Sequence, residues 1–318
     1  MIYLPKITGN TWFNTQNSAP IPPESLKGKV VLVDFWTYSC INCIHTLPYM
    51  RKWWDTYRDK GLVIIGVHTP EFSFEKDVQN VAQAVKDLGV VWPVVLDNDY
   101  VNWKNFANHY WPAKYLANKS GQITYMHFGE GNYGETEAMI QMLLKQGDDT
   151  LTLPSPDYAQ HQHGNVCFLP TPELYCGYSR GFLANTEGYK KDKTTNYRLP
   201  ASLPADHMAL SGEFKATPEY VESQDPTGQI LVNFRGTEVD LVLSPVTEKS
   251  EIRIMLSGEV LPDNLKGSDV KNGIITVDHP KMYNLLKADK LVEGTLALGV
   301  QTGSIRAHAF AFSGCVEL

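Results

Sequence analysis

The sequence predicts an α/β domain followed by an all-β domain, on three observations. An apolar, β-branched run at 30–36 leads straight into Cys40-Ile-Asn-Cys43, and Cys43, Leu47, Met50, Trp54 and Tyr57 then recur at helical spacing. Strand-like and helix-like segments alternate from there to residue 146, the order that builds parallel strands joined by helices. Past a proline-rich stretch only short alternating strands remain. At 318 residues the chain is long for one core, so boundaries are expected at 1–146, a linker at 147–174 and a second domain at 175–318.

Taken in order, residues 1–29 are rich in Asn, Pro, Thr and Ser and read as an arm with a short edge strand at Trp12-Phe13. The strand at 30–36 is followed by a helix over 41–59 that contains Pro48, which removes one backbone donor. Leu62–Val67 is a second buried strand, parallel to the first, ending at His68-Thr-Pro-Glu71. A helix at 77–88, a strand at Val94–Leu96 and a helical piece at 100–108 come next. Trp111-Pro112 precedes a strand at 113–117, Asn118-Lys-Ser-Gly121 turns the chain, and Gln122–Phe128 alternates as its hairpin partner. A glycine loop at 129–134 leads to a helix at 135–145; it lacks the Lys-Ser/Thr ending of a nucleotide loop and reads as a turn. Between 146 and 172 prolines replace all periodicity. Strands are then expected at 230–234, 239–243, 252–256, 274–277, 296–300 and 307–312, a spacing that suggests a two-sheet sandwich or jelly roll.

Apolar residues make up 43% and charged residues 20% of the chain, as in an ordinary folded protein. The net charge of −7 and the lack of a long basic run argue against a nucleic-acid partner. No apolar run is long enough to cross a bilayer, and the start lacks the charged and apolar regions of a signal peptide.

The chemistry is concentrated at the two cysteines. A thiol is a poor nucleophile until it ionises, and the orphan N–H groups of a helix N-terminus favour the thiolate. Cys40 is expected at that end and partly exposed, with Cys43 one turn in and shielded. Such a pair closes a disulfide without large motion, so Cys43 can resolve a mixed disulfide formed at Cys40. Zinc sites use the same spacing, but the surrounding sequence adds only His45. Asp34 is the one charge in an apolar strand. Buried there, its carboxyl is expected to ionise late and to exchange a proton with Cys43. His68 and Glu71, at the same sheet edge, are secondary candidates for steering protons or substrate; as polar loop residues they equally fit backbone or solvent contacts.

Val-Asp-Phe-Trp, the Cys-x-x-Cys and the later Trp111-Pro112 resemble the thioredoxin superfamily. The strings Trp36–Ile44, Gly66–Phe72 and His127–Tyr133 resemble, more narrowly, the C-terminal part of DipZ-type proteins of cytochrome c biogenesis. That resemblance implies a thioredoxin fold with an insertion and a carbohydrate-module-like β-sandwich. It implies a protein thiol–disulfide oxidoreductase in which Cys40 attacks, Cys43 resolves, Asp34 shuttles a proton and a cis Pro112 faces the disulfide, with no cofactor beyond the redox-active disulfide. Trp111, Trp36, Ile41 and Asn42 are expected to border the substrate groove. Implied partners are protein thiols or disulfides and a membrane-embedded electron-transfer module, and the implied location is extracytoplasmic, as a fragment or mature chain. A reducing direction fits the family's role in keeping haem-attachment cysteines reduced. Two departures bear on direction: Asn42 replaces the proline usual between the cysteines, and Val63-Ile64-Ile65 offers no match for the basic residue that thioredoxin places beside its buried acid.

The alternative is a docking protein whose sandwich recognises a glycan or protein, with the redox domain secondary. Of the remaining cysteines, Cys167 and Cys176 are the preferred structural disulfide over pairings with Cys315, because the loop they close is short. A metal set of His161, His163, Cys167 and Cys176 is the weaker reading, since the spacing is not that of a zinc finger.

Overall fold

The computed structural model describes residues 2–147, 150–158 and 166–316. The chain divides into two compact units, residues 1–161 and 162–318.

The first unit is built on a six-stranded sheet. Its strands and helices are β1 (Trp12–Phe13), β2 (Val30–Trp36), α1 (Ile41–Tyr57), β3 (Leu62–His68), α2 (Val78–Asp87), β4 (Val94–Leu96), α3 (Val101–Asn105), β5 (Ala113–Ala117), β6 (Ile123–Phe128) and α4 (Tyr133–Lys145). The strand order is β1-β4-β3-β2-β5-β6. Strands β2, β3 and β4 run parallel, while β1, β5 and β6 pair antiparallel with their neighbours. Every residue of central β2 is buried, which is why it reads as an unbroken apolar run with a single charge. Helices α1, α2 and α4 pack one apolar core against the sheet, and the other face carries a second core of Val31, Val33, Phe35, Ile65, Val67 and Tyr115 beneath arm residues such as Leu4 and Ile7.

The register positions the chemistry. Asp34 lies opposite Gly66 on β3 and opposite Lys114 on β5. A side chain at 66 has no room: a Cβ there would stand 2.9 Å from the Trp36 indole nitrogen and 3.3 Å from Val94. Glycine at this point lets Trp36 pack into the core.

Of the 147–174 stretch, Leu151 and Leu153 pack on the helical core of the first unit, and the Pro154 carbonyl accepts a hydrogen bond from Gln141. Its far end enters the second unit, where the Phe168 N–H donates to Gly314 and that of Thr171 to Arg235.

The second unit is strand-rich: β7 (Val166–Cys167), β8 (Leu174–Tyr175), β9 (Thr194–Tyr197), β10 (His207–Ala216), β11 (Val221–Ser223), β12 (Gln229–Pro245), β13 (Ser250–Leu256), β14 (Glu259–Val260), β15 (Ile274–Val277), β16 (Lys281–Thr302), β17 (Ile305–Ser313) and β18 (Cys315–Val316). Strands β12 and β16 pair from Gln229–Gly299 to Leu243–Lys281. The stretches expected as separate strands at 230–234 and 239–243 are two parts of β12, because register shifts after Gly236 and Val239 carry the ladder on without ending it. Early in its length β12 pairs with β10, and later with β17. Through β11 these strands close a circuit, and the unit has one large apolar core.

The expected Cys167–Cys176 disulfide is corrected. Cys167 bonds to Cys315, because antiparallel β7 and β18 set the two opposite each other with Cα atoms 4.0 Å apart. Cys176 is a free thiol buried in the core. Loop length in the chain was a poor guide, since strand pairing had already closed the longer loop. His161 and His163 lie outside the described residues.

Candidate active site

Cys40 is the N-cap of α1, in extended backbone conformation and half-buried, and makes no side-chain capping hydrogen bond. The first N–H groups of α1 are therefore free of a competing cap, and the positive end of the helix faces this sulfur. The turn from Trp36 into the helix is closed by the Cys40 N–H donating to the Thr37 carbonyl at 3.4 Å. Cys43, one turn on, is buried beside Leu47 and Met50. Burial pushes its thiol well up, and a hydrogen bond to Cys40, the nearby Cys40 charge and that of Asp34 act in the same sense. One accessible sulfur thus stands over one shielded sulfur, both as free thiols.

Beneath them Asp34 is 1% exposed, and burial raises its carboxyl to about 6 against the opposing pull of Lys114. Lys114 is 0% exposed, with Nζ 3.9 Å from Asp34 Oδ1 and 6.0 Å from the centre of the Tyr133 ring. Its ammonium is pushed down by burial, while Asp34, Cys43, Glu130 and Cys40 favour the charged form. Neither Lys114 Nζ nor Asp34 Oδ1 makes a hydrogen bond among the described residues. The basic partner that Val63-Ile64-Ile65 failed to supply comes from β5, on the opposite side of β2. A lone lysine two residues past Trp111-Pro112 was its only sequence signal.

The Trp111–Pro112 peptide is cis, Pro112 is buried and Trp111 half-buried. The Trp111 indole N–H donates to the Thr69 carbonyl at 3.1 Å, and its ring packs on Trp103 with centroids 4.2 Å apart. Ile41 is half-buried and Asn42 exposed at the start of α1. Trp36 does not border a groove: at 1% exposure it is core, because β2 is covered on both faces and Gly66 makes room for its ring.

His68 is not a steering group at the surface of the site as expected. His68 is 0% exposed, stacks on Tyr38 and comes within 3.4 Å of Thr37 Oγ1, and burial lowers its imidazole to about 3, leaving it neutral. Glu71 contributes its backbone N–H, 2.5 Å from Glu75 Oε2. The carboxylate that engages this region is Glu75, hidden from sequence reasoning because Glu71-Phe-Ser-Phe-Glu75-Lys has the look of an exposed loop. His45 on α1 faces Glu130 of the glycine loop at 3.3 Å. Among the described residues no group of three or more His, Cys, Asp or Glu side chains could hold a metal ion.

Such a site can exchange disulfides: an accessible sulfur at a helix N-terminus, a second sulfur within reach and a buried acid able to take the second sulfur's proton. Residues 4–126 match the AhpC/TSA family and residues 171–313 match the thioredoxin-like C-terminal domain. The chain is 38% identical over 237 residues to protein DipZ of Mycobacterium bovis, covering 74% of this chain and 34% of DipZ. It therefore spans about a third of the length of that curated relative. It is 27% identical over 145 residues to the thiol-disulfide oxidoreductase YkuV of Bacillus subtilis, covering 45% of this chain and 95% of YkuV. The solution structure of a putative thioredoxin from Neisseria meningitidis is 26% identical, with a TM-score of 0.39 over 43% of this chain and 89% of that one.

Proposed function

Because the chain is a thioredoxin-superfamily redoxin like DipZ, we propose that it is a protein thiol–disulfide oxidoreductase that reduces protein disulfides. The Cys40 thiolate attacks one sulfur of the substrate disulfide; that S–S bond breaks, a mixed disulfide forms, and the departing sulfur takes a proton. Cys43 gives its proton to the Asp34 carboxylate and attacks the Cys40 sulfur. The Cys40–Cys43 bond forms, the mixed disulfide breaks, and the second substrate sulfur leaves as a thiol once protonated. Two electrons pass from the enzyme dithiol to the substrate, and a partner dithiol restores the enzyme. Asp34 suits this role because, at about 6, it is charged when it must accept a proton at neutral pH yet protonated closely enough to that range to return it.

The observation that carries the proposal is the half-buried Cys40 at the N-cap of α1, above a buried Cys43 and a buried Asp34. Substrates are proposed to be protein cysteines, including those that receive haem, and the reducing partner a membrane-embedded dithiol protein on the extracytoplasmic side. No helix among the described residues is itself long and apolar enough to cross a membrane. Sandwich character is proposed from the strand spacing together with the resemblance, and glycan docking at the β unit from the resemblance; binding of the whole chain to a glycan array tests the second. For the main proposal, Cys40→Ser must abolish disulfide reduction and Cys43→Ser must accumulate mixed disulfides at Cys40. A Cys40→Ser protein with wild-type activity ends the proposal.

A further inference from the structure

Among the buried carboxylates that the mechanism leaves unused, Glu75 lies against the turn that carries Cys40. Glu75, in a short 3-10 turn over residues 73–76, is 0% exposed, and burial raises it to about 6. Its Oε1 accepts from Thr37 Oγ1 at 2.5 Å, Ser39 Oγ at 2.6 Å and the Ser39 N–H at 3.3 Å. Oε2 accepts from the backbone N–H groups of Glu71 at 2.5 Å and Phe72 at 2.9 Å. Five donors converge on one side chain from two segments.

The first segment is the turn that presents Cys40. Ser39 immediately precedes the cysteine, and the Thr37 carbonyl holds the Cys40 N–H. Tyr38 between them is gripped from the same side, its ring stacked on His68 at 5.6 Å. The second segment also bears Thr69, whose carbonyl receives the indole of Trp111 beside the cis Pro112. Residues 69–75 thus link the Cys40 turn to Trp111, which precedes the cis Pro112.

We propose that Glu75 is a positioning residue for Cys40: it brackets the Thr37–Ser39 turn to the loop that follows β3, keeping the nucleophilic sulfur at the helix N-terminus and in register with the cis-proline loop. This rests on the oxidoreductase reading of Cys40. A buried carboxyl is a costly way merely to staple a loop, since an apolar contact would exclude water without desolvating a charge. What it supplies is direction, because an ionised acceptor is satisfied only where several donors meet. Glu75 bonds Thr37 and Ser39, the residues that lead into Cys40, so the carboxylate reaches the sulfur through the turn.

The test uses the full reduced chain with Glu75→Gln, Ser39→Ala and Thr37→Val. Gln keeps the volume, but its amide N–H₂ must face at least one backbone N–H, or turn to the hydroxyls and lose Ser39 N–H. Two quantities are read in folded protein: the rate of Cys40 alkylation by iodoacetamide at pH 7, and the equilibrium constant of the Cys40/Cys43 couple against glutathione. For Glu75→Gln the expected result is alkylation slowed about fivefold or more and a couple constant moved about tenfold, or ~30 mV. Ser39→Ala and Thr37→Val, which change no charge, are expected to slow alkylation about two- to threefold and carry the test should Glu75→Gln not fold. Wild-type rate and couple constant in the folded variants, with only lower thermal stability, would overturn the proposal. So would faster alkylation in Glu75→Gln alone, which marks a through-space charge. A wild-type protein whose Cys40 neither alkylates nor equilibrates with glutathione would instead defeat the oxidoreductase reading.

Discussion

Lys114→Met isolates what the buried lysine does to Asp34. Methionine keeps the length and apolar stem of the lysine, and since Nζ makes no hydrogen bond among the described residues, the change mainly removes a charge. Nζ stands 3.9 Å from Asp34 Oδ1. Two unit charges at that separation interact by ~4 kcal/mol at an effective dielectric of ~20, equivalent to ~3 pH units in the titration of the acid. Asp34 sits at about 6 with the lysine present, so it is mostly carboxylate at pH 7. Without it, burial acts unopposed and the carboxyl stays protonated through neutral pH. The proton acceptor for Cys43 is then missing, and resolution of a mixed disulfide slows by ~10- to 100-fold at pH 7, recovering as pH rises through the new titration. Single-turnover reduction of a peptide disulfide as a function of pH reads the rate, and infrared spectroscopy of the carboxyl reads Asp34 directly. A rate limb that stays near the wild-type value, or a carboxyl band that moves by less than ~1 pH unit, would refute the argument that Lys114 holds Asp34 in the working range.

Two further predictions follow from the same physics. Asp34 has a folded-state value above its ordinary one, so its contribution to stability is fully present below the usual carboxylate range and is lost as pH rises from about 3.8 through about 6; that loss is ~3 kcal/mol by pH 8. Denaturant unfolding of the Asp34→Asn/Lys114→Met double variant, which buries no charge here, should lose that part of the slope, and a slope equal to the wild type's would count against it. Cys315→Ser opens a loop with sequence separation 148 and should destabilise the second unit by ~2–5 kcal/mol, read as a lower melting transition, while the Cys40 alkylation rate is unchanged.

How far the site could be read from sequence depended on whether its parts were neighbours in the chain. Cys40, Cys43 and Asp34 lie within one strand–turn–helix, where local periodicity fixes the placement of each. Lys114 and Glu75 reach the site only through tertiary structure. The first depends on the antiparallel register of β5 against β2, the second on a loop that folds back over the Thr37–Ser39 turn. Trp36 was misjudged because a tryptophan beside a reactive turn suggests a wall, whereas the space left by Gly66 draws the ring inward. In the β unit, alternation located strand centres but not their lengths. A register shift leaves the hydrogen-bond ladder running while the alternating pattern slips, so β12 looks like two strands in the sequence.

Two buried acids flank the sulfurs, both raised to about 6 by burial, and their hydrogen bonding separates their roles. Asp34 Oδ1 makes no hydrogen bond among the described residues and faces a lysine that makes none either. Its Oδ1 can therefore take up a proton without breaking a hydrogen bond, at the cost of the ion pair with Lys114. Glu75 spends both oxygens on five donors, three of them backbone N–H groups that cannot turn to become acceptors. Protonating it would require the Thr37 or Ser39 hydroxyl to turn and accept, so a change of state rearranges the bracket. Two acids can share a burial depth and a titration range and still differ in what a proton disturbs. What distinguishes them is whether the lone pairs are already committed, which favours the proposed proton role for Asp34 and the proposed positioning role for Glu75.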